Sequence, residues 1–156
     1  MDDSVWRTLG LGAIAGMRSM AAPAALSRAV ERGDIDGLEN TPFAVLGSSE
    51  IATALRMFEI GEFIVDKLPV MVPSRTSPPP LLGRAASGAI VGAALFASDG
   101  RRSAAGGVLG AASALASAYA TERLRLQIAE RLGVPDLIVA LSEDAIAVFG
   151  GARLLQ

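Results

Sequence analysis

Residues 58–69, FEIGEFIVDKLP, mix ionisable and apolar side chains over about three turns of a predicted helix. At 100° per residue, Glu59, Glu62 and Asp66 fall within an arc of about 60°, Lys67 flanks them, and most of the apolar side chains occupy the opposite side. Taken alone, this pattern is typical of a surface helix in a soluble bundle, with its charged face in water. The segments on either side favour a membrane protein instead.

The amino-acid composition is that of an apolar, helical domain. The 156 residues are enough for one domain, and 51% of them are hydrophobic although only 4% are aromatic. The 17 glycines and the many alanines favour helices whose backbones pack closely together. We therefore predict an all-α, membrane-embedded bundle over residues 1–156, with about five helices.

The charge balance and the missing residue types exclude several classes of function. The 14 basic and 16 acidic residues give a net charge of -2 without a basic run, so no nucleic acid partner is expected. The chain has no Cys and no His, which removes disulfides, thiol nucleophiles, histidine bases and the usual zinc and haem ligands. We predict no catalytic, cofactor-binding or metal site.

The first apolar segment continues to about residue 30 and is long enough to cross a bilayer, which needs about 20 helical residues. Its glycines and its proline predict a helix that is broken or kinked at residues 18–19. Arg18 would then lie near the middle of the membrane, where an unpaired guanidinium is costly. We expect Arg18 to pair with a carboxylate of the 58–69 helix or with Glu143 or Asp144.

The middle of the chain separates two helical units, residues 1–69 and 84–156. Residues 31–42 combine four acids with Gly, Asn and Pro, which predicts a solvated loop. Residues 43–68 form the second predicted helix, which either spans the membrane or lies flat in its interface. Residues 70–83 contain four prolines and are predicted to form an extended connector.

Residues 84–98 and 103–121 form a predicted helical hairpin, because both are uncharged after Arg84 and a short charged turn lies between them. Glycines four residues apart occur three times, as Gly12 and Gly16, Gly88 and Gly92, and Gly106 and Gly110. This spacing predicts tight packing of helix against helix rather than ligand binding.

The last helix, predicted at residues 136–154, carries a second ionisable site. Residues 122–133 extend the preceding helix with charges spaced as on a wet surface. Glu143 and Asp144 then interrupt an otherwise apolar span. In a soluble bundle this pair would mark the wet face, whereas in a bilayer it needs a partner or a use.

A weak internal echo, LGAIAGMRS at 11–19 against GGVLGAAS at 106–113, predicts a repeat of two helical units. One helix separates the units, so the second would be inverted relative to the first if all five helices cross the membrane. The distribution of Lys and Arg among the predicted loops places the N-terminus in the cytoplasm and the C-terminus outside.

Three motifs together resemble a known family. They are GMRS at 16–19, EFIVDKLP at 62–69, and the late pair Glu143-Asp144, of which the E-x-x-x-D-K-x-P signature is the sharpest. With these motifs, the chain resembles the small bacterial integral membrane proteins of the DUF4126 family, a domain of unknown function. The resemblance implies a multi-pass protein of the bacterial cytoplasmic (inner) membrane and implies no particular activity.

Two functions fit these observations. The first is a transporter or permease that moves a small polar or ionic substrate along a charged path between packed helices. The second is a structural or accessory subunit, in a homo-oligomer or a larger membrane complex, whose charges pair internally. An enzyme ranks last, because no nucleophile or metal site accompanies the carboxylates. The lipid bilayer is the expected partner, and the candidate residues are Arg18, Glu59, Glu62, Asp66, Lys67, Glu143 and Asp144.

Overall fold

The computed structural model describes residues 3–65, 74, 76–132 and 135–156. Within these residues all regular secondary structure is helical, which confirms the all-α prediction. The elements are α1 (Asp3–Met17), α2 (Ala21–Glu31), a 3₁₀ helix (Pro42–Gly47), α3 (Ser49–Val65), α4 (Pro78–Ser98), α5 (Ser103–Leu132) and α6 (Asp136–Leu154). The count exceeds the predicted five because the first segment forms two helices and the second begins with the 3₁₀ helix.

The α4–α5 hairpin forms the centre of the bundle, and glycines hold its two helices together. A Cβ atom added to Gly88 would lie 2.5 Å from the carbonyl oxygen of Gly110. A Cβ atom added to Gly92 would likewise clash with the carbonyl oxygen of Gly106, and one added to Gly106 would clash with that of Gly92. Such backbone-to-backbone contact is open only to glycine. The predicted tight packing is therefore confirmed.

Helix α1 packs beside this hairpin and runs parallel to α5. The hydroxyl of Ser113 donates to the carbonyl oxygen of Leu9, and that of Ser117 donates to the carbonyl oxygen of Ala13, both at 2.7 Å. The two pairs have the same sequence offset, as parallel helices require. The two similar segments, residues 11–19 and 106–113, begin in α1 and in α5. An inverted repeat would make α1 and α5 antiparallel, so their parallel directions do not support the predicted inverted repeat.

The chain reverses between α1 and α2. Arg101 donates to the Ser4 hydroxyl at the start of α1, while Gly37, after α2, packs on the carbonyl oxygen of Ser98. Ser98 and Arg101 flank the α4–α5 turn, so both ends of the α1–α2 pair lie at that end of the bundle. The break at residues 18–20 is thus the tip of a helical hairpin.

The first segment was predicted to be broken or kinked at residues 18–19, and the structure confirms a break at this position. The two halves fold back on each other instead of continuing in one direction. Pro23 lies in the first turn of α2. A proline there starts a helix without loss, because the missing N–H would have no partner in the helix.

Helices α3 and α6 pack on the α1–α2 hairpin. The Arg28 side chain of α2 reaches Glu59 of α3. Helix α6 runs antiparallel to α1, since Leu154 lies against Gly10, Gly150 lies near Ile14, and Asp144 contacts Arg18 just after the end of α1. Both chain termini therefore lie toward the same end of the bundle. This course of the described helices does not support the prediction that the two ends of the chain lie on opposite sides of a membrane.

Helix α4 begins earlier than the sequence indicated. Residues 70–73 and 75 of the predicted extended connector at 70–83 lie outside the described residues. Its residues 78–83 are helical instead, because Pro78, Pro79 and Pro80 form the first turn of α4. Three prolines fit there since the first N–H groups of a helix have no partner within it. Residues 31–42 were predicted to form a solvated loop. They connect α2 to the 3₁₀ helix and are mostly exposed, as predicted.

One of the described helices, α4, is long and apolar enough to cross a membrane. The core helix of a soluble protein can have the same length and composition. The length and composition of the described helices therefore do not support the prediction of several membrane spans.

Candidate functional site

The break between α1 and α2 lies among ionisable side chains from three other helices. Helix α1 ends at Met17 and α2 begins at Ala21, so residues 18–20 connect a helix C-terminus to a helix N-terminus. The last carbonyl groups of α1 and the first N–H groups of α2 have no partners within their helices. Charged side chains bind both sets of groups.

Glu62 of α3 binds the backbone at the N-terminus of α2. Its Oε1 accepts hydrogen bonds from the backbone N–H and the hydroxyl of Ser19, and its Oε2 accepts one from the backbone N–H of Met20, all at 2.9 Å. A carboxylate at this position also matches the positive end of the α2 helix dipole. Glu62 therefore acts as a cap supplied by a distant part of the chain.

Arg84 of α4 binds the backbone at the C-terminal end of α1. Its Nη1 donates to the carbonyl oxygens of Gly16 and Met17 at 3.3 and 3.4 Å. The Arg84 side chain is buried, and its charge matches the negative end of the α1 dipole. The sequence did not indicate a buried role for Arg84, because the predicted helix began at this residue. Since α4 begins at Pro78, Arg84 lies in its second turn, inside the bundle.

Arg18 itself is 1% exposed, and its Nη2 lies 2.6 Å from Oδ1 of Asp144 on α6. The guanidinium carbon also lies 5.6 Å from the centroid of the Phe63 ring. Arg18 was expected to pair with a carboxylate, and the structure places that of Asp144 beside it.

Two further ion pairs lie near the break. Arg28 Nη1 donates to Glu59 Oε2 at 2.9 Å, and Glu59 is 4% exposed. Its Oε1 is buried and has no hydrogen-bond partner among the described residues. Arg125 lies 3.8 Å from Glu143, which is also buried. The sequence did not indicate Arg28 as the partner of Glu59 or Arg125 as the partner of Glu143. Both arginines lie in segments whose charge spacing is typical of a solvent-exposed helix.

The structure brings together Arg18, Glu62 and Asp144 at the break itself. Glu59 lies one turn of α3 from Glu62, and Glu143 is the chain neighbour of Asp144. The remaining two candidates, Asp66 and Lys67, lie outside the described residues.

The polarity of α3 is the reverse of a soluble surface helix. Its Glu59 and Glu62 point into the bundle, whereas Met57 and Ile64 are exposed and Phe58 is 65% exposed. A helix on the outside of a soluble protein normally buries its apolar stripe and exposes its charges. Over residues 57–65 of α3, the carboxylates therefore lie inside and the large apolar side chains lie outside. Glu50 and Arg56, earlier in the same helix, are exposed.

Large apolar side chains are also exposed on the other helices. On α4, α5 and α6 they are Leu82, Ile90, Val108, Tyr119, Leu124, Leu126, Leu137, Ile138, Leu141, Ile146 and Phe149. Scattered apolar residues are normal on a protein surface, whereas large contiguous apolar patches are typical of contacts with a membrane or with another protein.

The cleft at the other end of the bundle is separate from the break. It has a volume of about 440 Å³, and its lining includes Asp3, Arg7, Asp34, Asp36 and Asp99. Among the residues that the structure describes, no three His, Cys, Asp or Glu side chains form a group that could hold a metal ion.

Comparison with known proteins gives a family for the chain. No curated protein and no solved structure matches it. The family model described as "Domain of unknown function (DUF4126)" matches residues 5–153, which is nearly the whole chain. The predicted resemblance is confirmed, and the chain belongs to the DUF4126 family.

Proposed function

We propose that this protein is embedded in the bacterial cytoplasmic membrane and moves a small ion through the charged break between α1 and α2. One observation carries the proposal. Ionisable side chains of Arg18, Glu62, Arg84 and Asp144, from separate parts of the chain, converge on a helix break inside the bundle. Discontinuous helices with inward-facing charges are a common construction of ion sites in membrane transporters.

The reversed polarity of α3 supports the membrane location. Burying charges while exposing Phe58 and its neighbours costs free energy in water, whereas lipid solvates the apolar face. Helix α4, the one described helix that is long and apolar enough to cross a membrane, has 21 residues and is about 31 Å long, close to the thickness of a hydrocarbon layer. Helix α5, with 30 residues, is longer than the hydrocarbon layer is thick.

The α1–α2 hairpin is then a re-entrant element. Non-helical backbone at membrane depth is tolerated only where protein or water satisfies its polar groups. Glu62 and Arg84 bind such groups on both sides of residues 18–20. Several charges at this depth are expensive, and membrane proteins retain them mainly where they serve an ion path or pair with each other.

The second candidate is a structural or accessory subunit of a homo-oligomer or a larger membrane complex. The short contacts favour it, since Arg18 with Asp144 and Arg28 with Glu59 already pair at 2.6 and 2.9 Å. In this alternative the charges only hold the helices together. Measurement of ion flux distinguishes the two functions.

Purified protein in lipid vesicles is expected to dissipate an imposed gradient of at least one of H⁺, Na⁺, K⁺ and Cl⁻ faster than protein-free vesicles do. Replacement Asp144→Asn removes a charge from the break and is expected to lower the flux to the protein-free rate. Ion-sensitive dyes inside the vesicles measure each gradient in a separate assay.

The matched control is Asp99→Asn, the same substitution at an exposed position just after α4. This variant is expected to conduct as the wild type does. If folded wild-type protein moves none of the four ions, the transport proposal is wrong and the structural function is favoured.

A further inference from the structure

The geometry points to the proton as the ion that this protein moves, with Glu59 and Glu62 of α3 as its carriers. This inference rests on the proposed transport function. The two carboxylates lie three residues apart, on one face of α3, and both face the bundle interior. Rows of carboxylates inside a membrane protein are typical of proton relays.

Glu59 has an oxygen that is free to receive a proton. Its Oε2 accepts from Arg28, but its buried Oε1 has no hydrogen-bond partner among the described residues. Helix α3 packs against α2 and the 3₁₀ helix. Arg28 is the titratable group that α2 turns toward Glu59, and the 3₁₀ helix, PFAVLG, has no titratable side chain. A proton therefore meets no competing hydrogen bond at Oε1 within the described residues.

The transfer is a simple acid-base exchange. The Glu59 carboxylate takes a proton from hydronium and releases water, and the resulting carboxylic acid gives the proton to the Glu62 carboxylate, directly or through water. Glu62 shares its Oε1 with the Ser19 hydroxyl, which itself can pass a proton on. No oxidant, reductant or other reactant is needed.

Further charged groups lie on both sides of these two residues. Arg28, beside Glu59, has a side chain that is 23% exposed, so the pair lies close to solvent. On the far side of the break, Asp144 contacts Arg18, and the neighbouring Glu143 lies near the partly exposed Arg125. The series of charged groups thus runs from one partly exposed arginine, through the buried break, to another.

The contacts favour a proton over larger ions. The pairs at Arg18 and Arg28 touch at hydrogen-bond distance, which leaves no space for an ion between them. A metal cation would need several oxygen ligands, and no suitable group of three side chains occurs in the described part of the chain. A proton needs only a carboxylate oxygen.

The test uses the wild-type chain in vesicles that contain potassium and a pH-sensitive dye. Valinomycin lets potassium leave, and the resulting membrane potential pulls protons inward. Wild-type protein is expected to acidify the interior faster than protein-free vesicles show. Glu59→Gln should lose this acidification down to the leak rate, while Glu59→Asp, which keeps a carboxylate, should retain it. Glu50→Gln, at an exposed position in the first turn of α3, is the control and should match the wild type.

The double variant Arg28→Gln with Glu59→Gln separates proton carriage from a merely structural pairing. It removes both charges together, so a structural role predicts recovery of the flux that the single variant loses. Proton carriage predicts no recovery, although gel filtration in detergent should show a folded protein. Wild-type acidification by Glu59→Gln or by the double variant would overturn the assignment.

Parallel assays with sodium, potassium and chloride gradients, without valinomycin, distinguish the two proposals. Flux of sodium, potassium or chloride without a change of interior pH would overturn the proton inference and leave the transport function standing. If no ion moves in any assay, both are wrong.

Discussion

Replacing Arg18 with methionine is expected to destabilise the protein by about 3–5 kcal/mol, the usual cost of removing one member of a buried ion pair. Arg18 is buried, and Asp144 lies 2.6 Å away with a side chain that is 13% exposed. Methionine keeps much of the apolar stem, so the loss reports the charge rather than a cavity. Thermal unfolding in detergent, followed by helical circular dichroism, measures the effect.

A second replacement separates a structural pair from an ion path. In the Arg18→Met background, Asp144→Asn removes the carboxylate that lost its arginine, and much of the stability is expected to return. If the pair is part of an ion path, this double variant folds but conducts nothing. Equal instability of the single and double variants would contradict the ion-pair interpretation.

Gly110→Ala is expected to have the second large effect, a loss of about 1–3 kcal/mol or more, which is typical of overpacking a tight interface. The added Cβ would meet the carbonyl oxygen of Gly88 and, at 3.3 Å, the Cα of Gly92. These are backbone atoms, so no side chain can rotate away. Helices α4 and α5 must separate, and α1, which also packs at Gly110, must move with them. The same thermal unfolding assay applies.

Gly107→Ala is the matched control, because Gly107 lies on the same helix, three residues before Gly110. A Cβ at Gly107 would lie 3.4 Å from the nearest atom, an ordinary contact, and alanine favours the helix by up to about 1 kcal/mol. We expect this variant to be as stable as the wild type or more stable. Similar losses for both variants would show that α4 and α5 are not held by close backbone contact at Gly110.

The glycine contacts could be predicted because four-residue spacing alone puts Gly88 and Gly92, or Gly106 and Gly110, on one helix face. The sequence predicted that Arg18 pairs with a carboxylate, since a buried guanidinium needs one. It did not predict which carboxylate, because Asp144 and the acids of α3 fitted the sequence equally well. The choice depends on the order in which the helices pack.

The reversal between α1 and α2 could not be read from the sequence. Gly and Pro predict a break, but the angle depends on what holds the free ends, and those groups come from Glu62 and Arg84, far along the chain. Arg84 was missed for a related reason. Its burial follows from the start of α4 at Pro78, and a proline run is equally typical of an extended connector.

The orientation of α3 was ambiguous from its sequence. Separate charged and apolar faces on a helix show which residues lie together and not which face is inside. The contacts of Glu59 and Glu62 decide this for the bundle, because both carboxylates bind groups of the α1–α2 hairpin. What surrounds the exposed apolar face is the central question about this protein.

A nitroxide spin label on Phe58→Cys tests that question most directly. The chain has no native cysteine, so a single label reports this one position on the apolar face of α3. In lipid vesicles, collision with oxygen should be frequent and collision with a water-soluble nickel complex rare, as for a lipid-facing site. A label on Glu39→Cys, in the exposed loop, should show the opposite pattern. If the label at position 58 meets nickel as often as the label at position 39 does, the apolar face of α3 is in water and the membrane-embedded account is wrong.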